Sequence, residues 1–191
     1  MELKRVVITG MGALTPIGNN LKDYWKNLVM GVSGAAPITH FDTSEFKTKF
    51  ACEIKGFEMS EHLTRNEIRR ADPFTQYALV SVEEAIQNAG IDFEKLNRNR
   101  IGVIWGSGNG GIETFHNEVV EYTKNDETPK FNPFFIPKII ADIASGLISI
   151  KYGLRGVNFT TISACATSTT AIIDAMNYIK WGKADMIITG G

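Results

Sequence analysis

The sequence is poor in cysteine, poor in histidine and without charge bias, and each shortage narrows what the chain can be. Cys52 and Cys165 are the only cysteines in 191 residues, and they lie far apart. That argues against a disulfide scaffold. Met1-Glu-Leu-Lys-Arg leads directly into a strand pattern rather than a secretory signal, so a reducing cytoplasm is the expected compartment. The three histidines, His40, His62 and His116, have no metal-ligand spacing to one another or to Cys165. Each reads as a surface or structural residue, and no metal site is expected. A formal net charge of -1 leaves no electrostatic footprint for nucleic acid or an anionic membrane. No apolar run approaches the ~20 residues of a membrane helix. The richest stretch, 131–150, is interrupted by Pro133, Pro137, Lys138 and Asp142. Internal repeats and low-complexity tracts are also missing. What remains is a composition, 43% hydrophobic and 21% charged, ordinary for a folded soluble protein of one large domain or two small ones.

Strand and helix patterns alternate along the chain. Lys4 to Thr9 reads as a first strand, followed by a glycine-bearing loop to Gly18 and a helix near 21–30. The segment 32–55 reads as irregular. Thr64-Arg-Asn-Glu67 is a capping-box pattern opening a short helix. Asp72-Pro73 then starts a longer one, with Asp as N-cap, Pro at the first position and Gly90 at the end. A buried strand at 101–105, a helix at 112–122 and a loop carrying Asp126, Glu127, Pro129 and Pro133 follow. An amphipathic helix over 138–152 and a last strand at 185–189 complete the pattern. The alternation predicts an α/β layered fold with a largely parallel sheet. Gly190-Gly191 closes a buried strand with nothing to cover it, so the chain reads as a fragment.

The segment from Asn158 to Met176 carries the strongest chemical signal. Phe159 to Ile162 has strand character, and beyond Cys165 the residues Ile172, Ile173, Met176 and Ile179 recur at helical spacing. This places the Cys165 thiol in the first turn of a helix, where unpaired N–H groups and the dipole favour an anion. Cysteines so placed have pKa values of roughly 3.5–7.5, and the same N–H groups can stabilise an oxyanion. A buried structural cysteine is the competing reading. The strand-to-helix placement favours the nucleophile, although no histidine partner is visible.

Two further clusters have bland and sharp readings. Gly106-Ser-Gly108-Asn-Gly-Gly111 matches G-x-G-x-x-G between a strand and a helix. No acidic residue ends a second strand some twenty positions on, so close packing of helix on strand is favoured and no cofactor is expected. Arg65, Arg69 and Arg70 cluster on the short helix, with Lys47, Lys49 and Lys55 upstream. They form either a solvated basic face or a docking patch for an acidic partner.

Taken in order, several motifs resemble one family. They are Arg5-Val-Val-Ile-Thr-Gly-Met-Gly, Thr15-Pro-Ile-Gly18, His40-Phe-Asp-Thr and Arg100-Ile-Gly-Val-Ile-Trp-Gly-Ser-Gly108. Asn132-Pro-Phe-Phe-Ile-Pro137, Tyr152-Gly-Leu-Arg-Gly156, Ser163-Ala-Cys165-Ala-Thr-Ser and Ala184-Asp-Met-Ile-Ile-Thr-Gly-Gly191 continue the series. The chain resembles the N-terminal half of the β-ketoacyl-acyl-carrier-protein synthases, most closely the synthase II branch of bacterial fatty-acid synthesis. The resemblance covers essentially all of 1–191. It implies a thiolase-like fold of two βαβαβαββ halves, of which this chain is the first. It implies that Cys165 accepts an acyl group from acyl carrier protein, and that malonyl carrier protein loses CO2 and condenses with the thioester. The Cys165 N–H becomes one oxyanion donor, while the second donor and both catalytic histidines belong to the other half. Arg65, Arg69 and Arg70 fall where the family docks its acidic carrier protein. Phe134 and Phe135 fall in a loop near the acyl pocket at a homodimer interface, and Asn109 falls where an apolar residue lines or gates that pocket. Asn66, Asn109, Val157, Thr170 and Ile173 depart from the family pattern. Asn109 keeps a polyketide or aryl-polyene ketosynthase open as an alternative. A non-catalytic partner subunit is the other, but such subunits lose the nucleophile that Cys165 supplies.

Overall fold

The computed structural model describes residues 4–125, 128 and 130–191. Asp126, Glu127 and Pro129 of the polar loop lie outside them. The helices are α1 (Leu21–Val29), α2 (Arg65–Arg70), α3 (Pro73–Ala89), α4 (Ile112–Lys124), α5 (Phe135–Ile139), α6 (Ile143–Tyr152) and α7 (Thr167–Lys180). Two short strands, β1 (Ala36–Pro37) and β2 (Phe50–Ala51), pair antiparallel within the irregular 32–55 region. The central sheet contains β3 (Ile101–Gly106), β4 (Asn158–Thr161) and β5 (Met186–Gly190), all parallel, in the order β4-β3-β5.

Local chemistry sets the helix starts where the sequence placed them. Thr64 and Glu67 form a reciprocal capping box at α2. Asp72 caps α3 ahead of Pro73, and Gly90 ends that helix in the left-handed conformation. The central strand β3 is buried along its whole length, as expected for a parallel strand covered on both faces. Its alternate residues point to opposite layers. Ile101, Val103 and Trp105 pack with Leu79, Val82, Ile86, Ala144 and Ile148 of α3 and α6. Ile104 packs on the other side against Ala171 and Ala175 of α7. The result is three layers, helix–sheet–helix.

Three sequence expectations change in detail. Lys4 to Thr9 forms no strand, and Val7 and Ile8 are exposed at 62% and 77%. A cleft of about 300 Å³ that includes Thr9, Ala89 to Asp92, Leu96 and Met186 lies between this segment and β5. The expected 138–152 helix is two helices. Ile140 is extended, and the Ile139 carbonyl accepts the Gly111 N–H at 3.2 Å instead of continuing its own helix. On α7 the buried face is Thr167, Ala171 and Ala175, whereas Ile172 and Ile173 are about half exposed. Close approach to the sheet demands small residues there, so the bulkier isoleucines turn outward.

Arg100 ties the base of the sheet together. Its guanidinium donates to both Asp185 carboxylate oxygens at 2.8 and 3.1 Å and to the carbonyls of Gly182 and Lys183. Bonding to Arg100, aided by Lys4, holds the Asp185 carboxyl at about 2, below the ~3.9 of an unfolded aspartate. A depressed carboxyl contributes stability above its unfolded pKa and loses it as pH falls through its folded one. Arg100→Gln is therefore expected to flatten the dependence of the unfolding midpoint on pH between about 4 and 2. An unchanged slope in that variant would assign the acid sensitivity to other carboxylates.

Candidate active site

Cys165 sits at the carboxyl end of the sheet, where open parallel sheets place their ligands. Thr161 ends β4 and pairs with Gly106 at the end of β3. The chain then turns through a short 3-10 segment, Ala164–Ala166, and enters α7 at Thr167. Cys165 thus precedes α7 by two residues rather than lying in its first helical turn, and it is exposed. The turn is strained. Ala164 has φ 49°, the one positive value among described non-glycine residues. A residue so held costs on the order of 1–3 kcal/mol and persists only where its surroundings over-determine it.

Those surroundings centre on Thr167, which the sequence reading did not single out. Its hydroxyl accepts the Ser163 N–H at 2.9 Å and donates to the Ala164 carbonyl at 2.6 Å. Its own carbonyl accepts from the Thr161 hydroxyl at 3.1 Å. Thr167 is 5% exposed, so these bonds are shielded from water. Thr170 joins the Ser163 hydroxyl at 2.7 Å and donates to the Ala166 carbonyl. A side chain placed on Gly106 would strike Thr167 Cγ2 at 2.6 Å, so the first glycine of the G-x-G-x-x-G match lets the strand end close on the elbow. The signal available in sequence was a β-branched hydroxyl two residues past the cysteine, and it is a weak one.

The glycine loop adjoins the elbow and reaches across to α5. Gly110 has φ +69°, and a Cβ there would lie 2.3 Å from the Ile139 carbonyl. Asn109, at the loop tip, is exposed. The helix that follows the loop, α4, is tied to α3 by Asp72, which accepts from Phe74 N–H, Thr114 N–H and Thr114 hydroxyl at 3.3, 3.3 and 2.6 Å. Nearby, burial foremost and then Glu113 and Asp72 hold the Tyr77 phenol above its ordinary range.

The two phenylalanines of the 132–137 motif diverge. Phe135 joins an aromatic row, stacking on Phe131 at 5.6 Å and Phe115 at 6.2 Å, with Tyr122 against Phe131. Phe134 instead lies under the guanidinium groups of Arg69 and Arg70, at 5.6 and 5.2 Å. Arg65, Arg69 and Arg70 are exposed, and none forms a salt bridge among the described residues. The structure therefore brings the basic helix, the phenylalanine motif and the glycine loop onto adjoining segments, with Cys165 joined to the loop through β3 and β4. A cleft of about 420 Å³ runs along the outer edge of β4, from Ala141 and Asp142 to Ile162.

The histidines stay apart from this arrangement in their bonding. His40 faces Glu53 at 3.9 Å and His62 stacks on Phe57. Neither these nor His116 hydrogen-bonds Cys165 among the described residues. No group of three metal-ligating side chains occurs among those residues either.

A thiol on a strained elbow at the carboxyl ends of parallel strands suits attack on a carbonyl carbon. The family profile "Beta-ketoacyl synthase, N-terminal domain" matches residues 3–191. The chain belongs to the β-ketoacyl synthase family. It is 46% identical over 189 residues to the 3-oxoacyl-[acyl-carrier-protein] synthase 2 of Staphylococcus aureus (strain COL), covering 98% of this chain and 45% of that protein. The corresponding synthase of Synechocystis sp. is 41% identical over 192 residues, covering all of this chain and 46% of its own length. Among solved structures, the ishigamide ketosynthase/chain length factor superposes with a TM-score of 0.90 at 26% identity, covering 99% of this chain and 47% of that one. The chain spans about half the length of the curated relatives it matches. The α/β, thiolase-like reading of the fold stands on these likenesses.

The Thr167 hydroxyl offers a test of the elbow. Thr167→Val leaves the Ser163 N–H without its acceptor, and the expected destabilisation is about 1–3 kcal/mol by chemical denaturation. Thr167→Ser should recover most of it. Alkylation of Cys165 by iodoacetamide should change in the valine variant and return in the serine variant. Equal stability and alkylation in all three proteins would remove Thr167 from the elbow's support.

Proposed function

We propose that this chain is the N-terminal half of a β-ketoacyl-acyl-carrier-protein synthase of fatty-acid elongation, with Cys165 as its nucleophile. The observation that carries the reading is the exposed Cys165 beside a strained Ala164 at the carboxyl end of the sheet, in a chain of this family. The names of the relatives supply the reaction class and the carrier-bound substrate.

The family supplies the reaction, and that placement gives Cys165 its part in it. The Cys165 thiolate attacks the carbonyl of an acyl-carrier thioester, the Cys165 N–H takes part of the oxyanion charge, and the carrier's thiolate leaves with a proton. The acyl group is then a thioester on Cys165. Malonyl carrier protein loses CO2, and the resulting carbanion attacks that thioester. A carbon–carbon bond forms, the Cys165 thiolate is released, and the product is a 3-oxoacyl chain two carbons longer. Proton handling and the second oxyanion donor are assigned to the other half of the protein, because no histidine here bonds Cys165. The active form is a cytoplasmic homodimer. Arg65, Arg69 and Arg70 receive the acidic carrier protein, and Asn109, Phe134 and Phe135 border the acyl pocket. Asn109 is polar where the synthase II branch has an apolar residue, so chain-length profiling of the full-length protein separates fatty-acid from polyketide use.

The decisive experiment is acylation of the full-length protein by an acyl-carrier thioester, read as intact mass. The expected result is a gain of one acyl group, removed by neutral hydroxylamine and abolished in Cys165→Ala. Acylation that survives in Cys165→Ala, or its absence in the wild type, would overturn the assignment.

A further inference from the structure

Arg69 and Arg70 are consecutive on α2, and consecutive helical side chains diverge by about 100°. Nevertheless both guanidinium groups lie over one ring, that of Phe134, at 5.6 and 5.2 Å. Both distances are within the ~6 Å over which a cation is drawn to an aromatic face. Neither arginine has a carboxylate partner among the described residues, and Arg69 has only a long contact of 3.4 Å to Asn66 Oδ1.

The ring itself is held from another part of the chain. The Phe134 N–H donates to Asn132 Oδ1 at 2.9 Å, and the Asn132 N–H donates to Glu118 of α4 at 3.0 Å. The Phe134 carbonyl accepts the Lys138 N–H at 2.9 Å, which starts α5. Phe134 is therefore anchored on α4 and α5 while its face is turned to α2. A guanidinium that stacks on a ring keeps its N–H donors free at the rim. Holding two such groups beforehand removes part of the ordering cost that long, mobile side chains impose on binding.

We propose that Phe134 is a positioning residue for carrier docking, an aromatic platform that sets Arg69 and Arg70 side by side for carboxylates of the carrier protein. The proposal rests on the docking reading above and deepens it. It also gives Phe134 a role distinct from lining the acyl pocket, since a pocket role acts on chain length and a platform acts on carrier affinity.

The test measures binding of holo acyl carrier protein to the full-length protein by titration calorimetry at low salt. Phe134→Leu is expected to weaken binding about threefold to tenfold, and Phe134→Tyr, which keeps the ring, to retain it. In an Arg69→Gln/Arg70→Gln background, Phe134→Leu should cause no further loss. A loss of the same size in that background, or in Phe134→Tyr, would overturn the platform. A second readout needs no carrier: the arginine side-chain proton resonances should show a ring-current shift that Phe134→Leu abolishes. Absence of that shift in the wild type overturns the platform. Its presence in a protein that does not bind the carrier overturns the docking reading, and with it the platform's role.

Discussion

The site hangs from the carboxyl end of one buried strand. β3 is hydrogen-bonded on both sides, to β4 through Gly106↔Thr161 and to β5 through Trp105↔Gly190. A slip of one residue in either ladder would reverse every side chain between the two layers. Ile101, Val103 and Trp105 would then leave the α3 and α6 core, and Ile104 would leave α7. Hydrophobic burial thus fixes the register, and the register fixes where β4 releases the chain into the cysteine elbow. The chemistry inherits its geometry from packing at a distance.

At the elbow, the balance is between strain and satisfied polar groups. The left-handed Ala164 costs on the order of 1–3 kcal/mol. Each buried hydrogen bond contributes about 0.5–1.5 kcal/mol net, and the Thr167 residue takes part in three. The two sums are of similar size, so the turn can be held without help from a ligand. The thiol is consequently presented by the resting fold.

Legibility in the sequence tracked how local the deciding interactions were. The capping box at Thr64 and Glu67, the Asp72-Pro73 start and the Gly90 stop involve residues within a few positions, and all stand as read. The strand–Cys165–helix order was legible for the same reason. Segments decided by distant partners were not. Ile139 and Ile140 break the 138–152 helix because a glycine 28 positions earlier takes the Ile139 carbonyl. Lys4 to Thr9 has strand composition, but a strand exists only through a neighbour's hydrogen bonds. The buried face of α7 is not the one hydrophobicity alone would pick, because sheet contact there is limited by space and favours Ala171 and Ala175 over the isoleucines. The Phe134 contact with Arg69 and Arg70 is likewise long-range, whereas Thr167 acts locally, through partners three to six positions away, and is silent because no capping or turn pattern marks it.

Asp72 shows how these parts become one piece. It follows the Arg69-Arg70 pair by two positions, is 4% exposed, and accepts hydrogen bonds at the N-termini of both α3 and α4. A short buried acidic side chain at two helix N-termini meets unpaired N–H groups and favourable dipoles. It also lies 2.9 Å from where a side chain on Gly111 would project, so the glycine loop can close onto it only without one. The same loop touches α5 through Ile139, and Phe134, the N-cap of α5, lies under the two arginines. The basic helix, the glycine loop and the phenylalanine motif therefore form a closed ring of contacts. A closed ring resists independent movement of its members more than an open chain does. Arg69 and Arg70 are thus placed relative to the glycine loop by the body of the protein.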